Sequence, residues 1–119
     1  MSKPTAHHWV KIADGIGELL FPENGLIEID ADGKKICLAQ HKDKLFACTA
    51  KCPHAGGPLA GGYMDAIGNI VCPLHSYKFS LQNGRNVSGE GYFLKTFPIE
   101  IRDDGVFAGI EEKNSLFGW

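Results

Sequence analysis

Two short segments carry the residues best able to hold a metal, Cys52-Pro53-His54 and Cys72-Pro73-Leu74-His75, with seventeen residues between His54 and Cys72. Each segment pairs one soft thiolate with one imidazole two or three positions away, near enough to act on the same small volume. Together they offer two sulfurs and two nitrogens. That donor set suits an iron–sulfur centre in which two cysteines bind one iron and two histidines the other. Given the Cys and His content, this spacing arises by chance on the order of once in a thousand. The same four atoms suit tetrahedral zinc, although common zinc fingers place both cysteines in one arm and both histidines in the other. A nucleophilic Cys–His pair is a third reading, to which two symmetrical proline-containing arms bear little likeness. A fourth is plain burial of thiols and hydrogen-bonded histidines.

The remaining candidates are weaker. Cys37 and Cys48 sit among apolar neighbours and read as core thiols. Cys48, four residues before Cys52, is a conceivable substitute ligand, but His54 and His75 already complete the set. His7 and His8 read as part of a loose N-terminus and His41 as part of a turn, with no role assigned.

Loops must present the two arms, since residues 52–62 are rich in Gly and Pro and Cys72 ends the short apolar run Ile70-Val71. Around them, 15 Gly and 6 Pro punctuate the 119 residues too often for long helices. Turn dipeptides at Asp32-Gly33, Gly68-Asn69, Asn83-Gly84 and Asp104-Gly105 adjoin short apolar or alternating runs, a hairpin signature. Residues 93–101 read as a strand with Phe93, Phe97, Ile99 and Ile101 on one face and an edge or bulge at Pro98, returned by residues 106–110. Residues 34–40 and 45–48 read as a further hairpin, although the lack of Gly and Pro from Lys34 to Cys52 leaves a short helix open on pattern alone. Residues 9–12 read as a first strand, and residues 113–119 have no usable period. The expectation is an all-β chain of short antiparallel strands in one domain, 1–119, with ligand loops at about 50–62 and 70–79.

A net charge of −2 offers no basic stripe, which argues against nucleic acid as a partner. The acidic pairs Asp103-Asp104 and Glu111-Glu112 read as solvated surface. No run approaches the roughly 18 apolar residues of a membrane span, and no signal-peptide core is visible. The expected location is the cytoplasm, without membrane attachment, where four cysteines serve better as ligands or buried thiols than as disulfides.

Cys52-Pro53-His54 followed by Gly56-Gly57-Pro58-Leu59, and Cys72-Pro73-Leu74-His75 followed by Ser76-Tyr77-Lys78-Phe79, resemble the two cluster-binding boxes of Rieske proteins. The likeness runs on through Gly61-Gly62-Tyr63-Met64, the Asn83-Gly84 turn and residues 94–99, and is arguable from Trp9 onward. Within that family the chain is most similar to the small ferredoxins of aromatic-ring-hydroxylating dioxygenase systems, with the small subunit of assimilatory nitrite reductase second. The resemblance implies a Rieske-type fold of stacked antiparallel sheets, with a two-loop subdomain at one tip holding one [2Fe–2S] cluster on Cys52, His54, Cys72 and His75. It also implies an electron carrier rather than an enzyme, taking one electron from a ferredoxin reductase to a terminal oxygenase or reductase subunit. Partners would dock at the tip, around residues 55–58 and 74–77. A terminal oxygenase would need two further histidines and a carboxylate on an added domain, for which the chain has no room.

High-potential Rieske proteins carry an extra cysteine in each box and bridge the loops. Here Gly57 or a neighbour and Leu74 stand at those places, so no bridge can form. Those proteins also place a Ser two residues and a Tyr four residues after the second histidine as hydroxyl donors, where this chain has Tyr77 and Phe79, so only one of the two positions keeps a hydroxyl. Fewer donors to the cluster sulfurs stabilise the reduced state less, which points to a potential near the low end of the Rieske range, roughly −150 mV.

Overall fold

The computed structural model describes residues 7–53, 56–74, 77–87 and 93–111. Within them the turn dipeptides punctuate a succession of short strands: β1 (His7–Ala13), β2 (Leu26–Ala31), β3 (Lys34–His41), β4 (Lys44–Thr49), β5 (Tyr63–Met64), β6 (Asn69–Val71), β7 (Lys78–Ser80), β8 (Thr96–Phe97), β9 (Ile99–Arg102) and β10 (Gly105–Glu111). Two single 3₁₀ turns, Ile16–Glu18 and Leu59–Gly61, are the helical elements of the described residues. Every strand pairing is antiparallel. The β2–β3 hairpin closes on Asp32-Gly33, both at positive φ as a twist-matched two-residue turn requires. The β3–β4 hairpin closes on Lys42-Asp43 in the same way.

Three sheets result, in the orders β1-β10-β9, β2-β3-β4-β8 and β5-β6-β7. The middle sheet serves both others because its residues alternate between two cores. Ile36, Leu38 and Ala47 pack with Phe97, Ala108, Val10 and Ile99 toward the first sheet. Cys37, Ala39 and Cys48 pack with Ile70, Phe79, Leu59 and Leu81 toward the third. A strand buried on both faces shows no clean alternation, which is why residues 34–52 left a helix open on pattern alone. The segment from Ala50 to Lys95 is one excursion: it leaves at the end of β4 and returns at β8, where the Thr49 N–H donates to the Lys95 carbonyl at 3.0 Å.

Two expectations change. Residues 93–101 are not one strand, for the chain changes sheets at Pro98: β8 pairs with β4 and β9 with β10. Phe97 is buried whereas Phe93 and Ile101 are more than half exposed, so the four residues share no face. Proline has no N–H to continue either ladder, while its carbonyl still accepts from the Gly109 N–H at 2.9 Å. His7 and His8 belong to β1 rather than to a loose terminus, and His8 Nε2 lies 3.3 Å from the Asp32 carboxylate. Cys37 and Cys48 face each other across β3–β4, fully buried, as core thiols should be. Contact with Cys37 and burial together hold the Cys48 thiol well above its ordinary pKa. Asp103-Asp104 form the exposed β9–β10 turn. Residues 113–119 and the side chain of Glu111, with Glu112, lie outside the described residues.

Candidate metal centre

Both ligand arms are hairpin tips. The first opens after a bridge between Lys51 and Pro58, and the Leu59 N–H donates to the Ala50 carbonyl at 2.9 Å. Inside the tip the Cys52 N–H donates to the Gly57 carbonyl at 2.8 Å, and the Gly56 N–H to the Cys52 carbonyl at 2.7 Å. The second tip joins β6 to β7, closed by the Cys72 N–H donating to the Tyr77 carbonyl at 2.8 Å. Each cysteine is therefore the first residue of its tip, with its backbone fixed by the hydrogen bond that closes the loop. Pro53 and Pro73 follow, exposed, where fixed φ stiffens the turn and no N–H is needed.

The two thiols converge. Cys52 and Cys72 are buried in one apolar cluster with Leu59, Ile70 and Phe79, near enough for one thiol to bear on the other's ionisation. Burial raises the Cys72 thiol pKa, the Leu74 backbone N–H directed at its sulfur opposes that rise, and Cys52 adds to it. Two converging thiols with a backbone donor aimed at one of them fit the cysteine half of an iron–sulfur centre: a cation would relieve their mutual repulsion as thiolates. His54 and His75 lie outside the described residues, as do Ala55 and Ser76. Leu59 shares the cysteines' core, whereas Pro58 is exposed, so of the two only Leu59 is placed to keep water from the sulfurs. Phe79 is fully buried behind the second tip with Tyr77 tilted against it, ring centroids 6.4 Å apart.

The glycines of the first loop differ in ways their letters conceal. A Cβ on Gly62 would stand 2.0 Å from the Val71 carbonyl oxygen, so only a bare backbone lets the loop lie against the end of β6. At Gly61 the nearest atom would be Pro58 Cγ at 3.9 Å, an ordinary contact. Asn24 is a supporting residue the spacing arguments missed. Its Nδ2 donates to the Ala60 carbonyl at 2.9 Å and the Gly62 carbonyl at 3.1 Å, tying the end of the first loop to the middle sheet. The Asn24-Gly25 pair was its readable signal, since that dipeptide marks a turn.

Comparison with known proteins agrees with this geometry. The profile of the Rieske [2Fe-2S] domain matches residues 8–98. The ferredoxin component of the alkene monooxygenase system of Xanthobacter autotrophicus is 26% identical over 82 residues, covering 69% of this chain and 67% of the relative. The solved ferredoxin of carbazole 1,9a-dioxygenase from Nocardioides aromaticivorans superposes with a TM-score of 0.70 at 18% identity, over 91% of this chain and all of that one. A Mycobacterium tuberculosis protein assigned as the small subunit of an NADH-dependent nitrite reductase has a TM-score of 0.74 at 16% identity, over 90% of this chain and 97% of that one. At these identities the two structures speak for the fold.

Proposed function

Because this chain belongs to the Rieske [2Fe–2S] domain family, we propose that it is a single-domain electron carrier holding one [2Fe–2S] cluster on Cys52, Cys72, His54 and His75. The observation that carries the reading is the convergence of Cys52 and Cys72 from two separate hairpin tips into one buried cluster of side chains. When bound, the cluster supplies a site that accepts and releases one electron without bond rearrangement in the protein. Cys52 and Cys72 would hold it, and His54 and His75, two and three positions further along in sequence, would complete the set. Leu59, Ile70 and Phe79, in the core the two cysteines share, keep water from the sulfurs. The Leu74 N–H at the Cys72 sulfur favours the thiolate.

The donor is a ferredoxin reductase and the acceptor a terminal oxygenase, a reading supported by a relative that is the ferredoxin component of an alkene monooxygenase system. Docking centres on the tips, where Leu74 is 44% exposed, and is weak and transient. Location in the cytoplasm is supported by four free thiols, and no helix of the described residues is long and apolar enough to cross a membrane. The potential lies near the low end of the Rieske range, about −150 mV, since Phe79 has no hydroxyl to offer.

Absorption and low-temperature EPR spectra before and after dithionite, with iron and sulfide analysis, test the assignment. A red-brown protein that becomes EPR-active on one-electron reduction, with nitrogen couplings from two imidazoles, is expected. A colourless or zinc-loaded protein after anaerobic purification and reconstitution refutes it. Tight co-purification with a large haem or flavin subunit instead of a lone carrier would reassign the chain as a nitrite reductase small subunit.

A further inference from the structure

Gly57, Leu74 and the Cys72 sulfur meet at one point. A Cβ on Gly57 would stand 2.9 Å from Leu74 Cδ1, 3.0 Å from Leu74 Cγ and 3.5 Å from Cys72 Sγ. The Leu74 side chain thus lies on bare backbone of the first tip, in the space a side chain at 57 would claim, beside a ligand sulfur. Each tip is closed on itself by its own backbone hydrogen bonds, Cys52 to Gly57 in the first and Cys72 to Tyr77 in the second. Those bonds fix the shape of each loop but not the position of one against the other. Leu74 is also 44% exposed, more than core packing alone would give a leucine.

We propose that Leu74 is a positioning residue for the cluster: its side chain, seated on Gly57, clasps the second loop to the first and covers the Cys72 sulfur against water. The inference rests on the cluster assignment above. Apolar atoms over the sulfur keep water and chelators from reaching the ligand position, and the shell around a metal site governs solvent access to it. The contact needs both partners, a long apolar side chain at 74 and none at 57.

The test uses cluster-loaded wild type, Leu74→Ala, Leu74→Met, Gly57→Ala and the Gly57→Ala/Leu74→Ala double variant. The readouts are the first-order rate of bleaching by excess iron chelator under argon and the reduction potential, with far-UV circular dichroism melting as a control on the base. Leu74→Ala is expected to bleach about 10-fold faster, the lower end of what support residues cost a metal site. Its potential should shift upward as solvent reaches the sulfur. Leu74→Met should restore the wild-type rate. Gly57→Ala displaces the leucine and should bleach faster too, while the double variant is no worse than either single one, because both remove the same contact. A coloured wild type whose Leu74→Ala variant bleaches at the same rate, or single effects that multiply in the double variant, overturns the clasp alone. A wild type that binds no cluster overturns the assignment itself, and the clasp with it.

Discussion

Adding one methyl group at Gly62 places a Cβ 2.0 Å from the Val71 carbonyl oxygen, 3.1 Å from its carbon and 3.2 Å from Pro73 Cδ. None of these is the free end of a flexible side chain, so relief must come from the backbone. The Val71 carbonyl has to retreat by about 1 Å to reach the 3.0 Å that real Cβ contacts respect. It cannot retreat alone. Val71 pairs with Tyr63 and Lys78, and the next residue is Cys72. Metal–ligand distances tolerate roughly 0.2 Å, so a displacement several times larger at Cys72 should separate the thiols rather than stretch the site. Gly62→Ala is therefore expected to lose most of its iron, and overpacking should destabilise the fold by about 1–3 kcal/mol. Gly61→Ala, one residue earlier, meets nothing closer than 3.9 Å and should keep its iron. The assay is iron per chain and visible absorbance after identical anaerobic reconstitution, with a urea melt of each variant. A Gly62→Ala protein with the iron content, spectrum and urea midpoint of wild type would refute the close-approach reasoning.

The four cysteines should divide by place. Cys37→Ala and Cys48→Ala keep the cluster spectrum, while Cys52→Ala and Cys72→Ala abolish it, measured by absorbance on reconstitution. Phe79 is fully buried behind the second tip, so Phe79→Ala should cost about 3–5 kcal/mol in urea denaturation, and a loss under 1 kcal/mol would show that the site collapses around the gap. Asp65 accepts hydrogen bonds from the N–H groups of Ile67 (3.1 Å) and Asn69 (3.0 Å) and from Asn69 Nδ2 (2.9 Å) in the turn between β5 and β6. Burial alone would raise its carboxyl, but those bonds, together with the charge of Lys78, hold it below the ordinary carboxylate range. A carboxyl depressed on folding stabilises above its unfolded value of about 3.9 and loses that stabilisation as pH falls through the folded value. Urea midpoints between pH 6 and pH 3 should thus drop less for Asp65→Asn than for wild type.

Legibility in the sequence followed how local each constraint is. Cys52 and Cys72 could be singled out because each arm's ligand spacing is held within a few residues. The hairpin at Asp32-Gly33 was readable for the same reason, since φ is positive at both positions and the dipeptide names the turn. Phe93 to Ile101 misled because alternation continues across Pro98 although the chain passes from one sheet to another there, and period alone does not say which sheet a strand joins. Gly61 and Gly62 are identical letters, and only the Val71 carbonyl, nine residues on, distinguishes them. The β3–β4 hairpin was readable from its two apolar runs, but Lys42-Asp43 carries no glycine, so the left-handed conformation both residues adopt to satisfy the register was not.

The excursion from Ala50 to Lys95 starts and finishes on adjacent rungs of one ladder, with Ala47 opposite Phe97 and Cys48 opposite Thr96. Its two ends are thus one strand spacing apart, about 4.8 Å, one on β4 inside the sheet and one on β8 at its edge. Such a segment is a cassette. Two crossover points suffice to exchange it between homologues, and the entropy of closing a longer or shorter version changes by only about 0.6 kcal/mol per doubling of length. Redox tuning and the docking tips both lie within the cassette and so travel together, while Asn24, Cys37, Ala39 and Cys48 outside it, which tie it down or pack beneath it, are what a graft has to match.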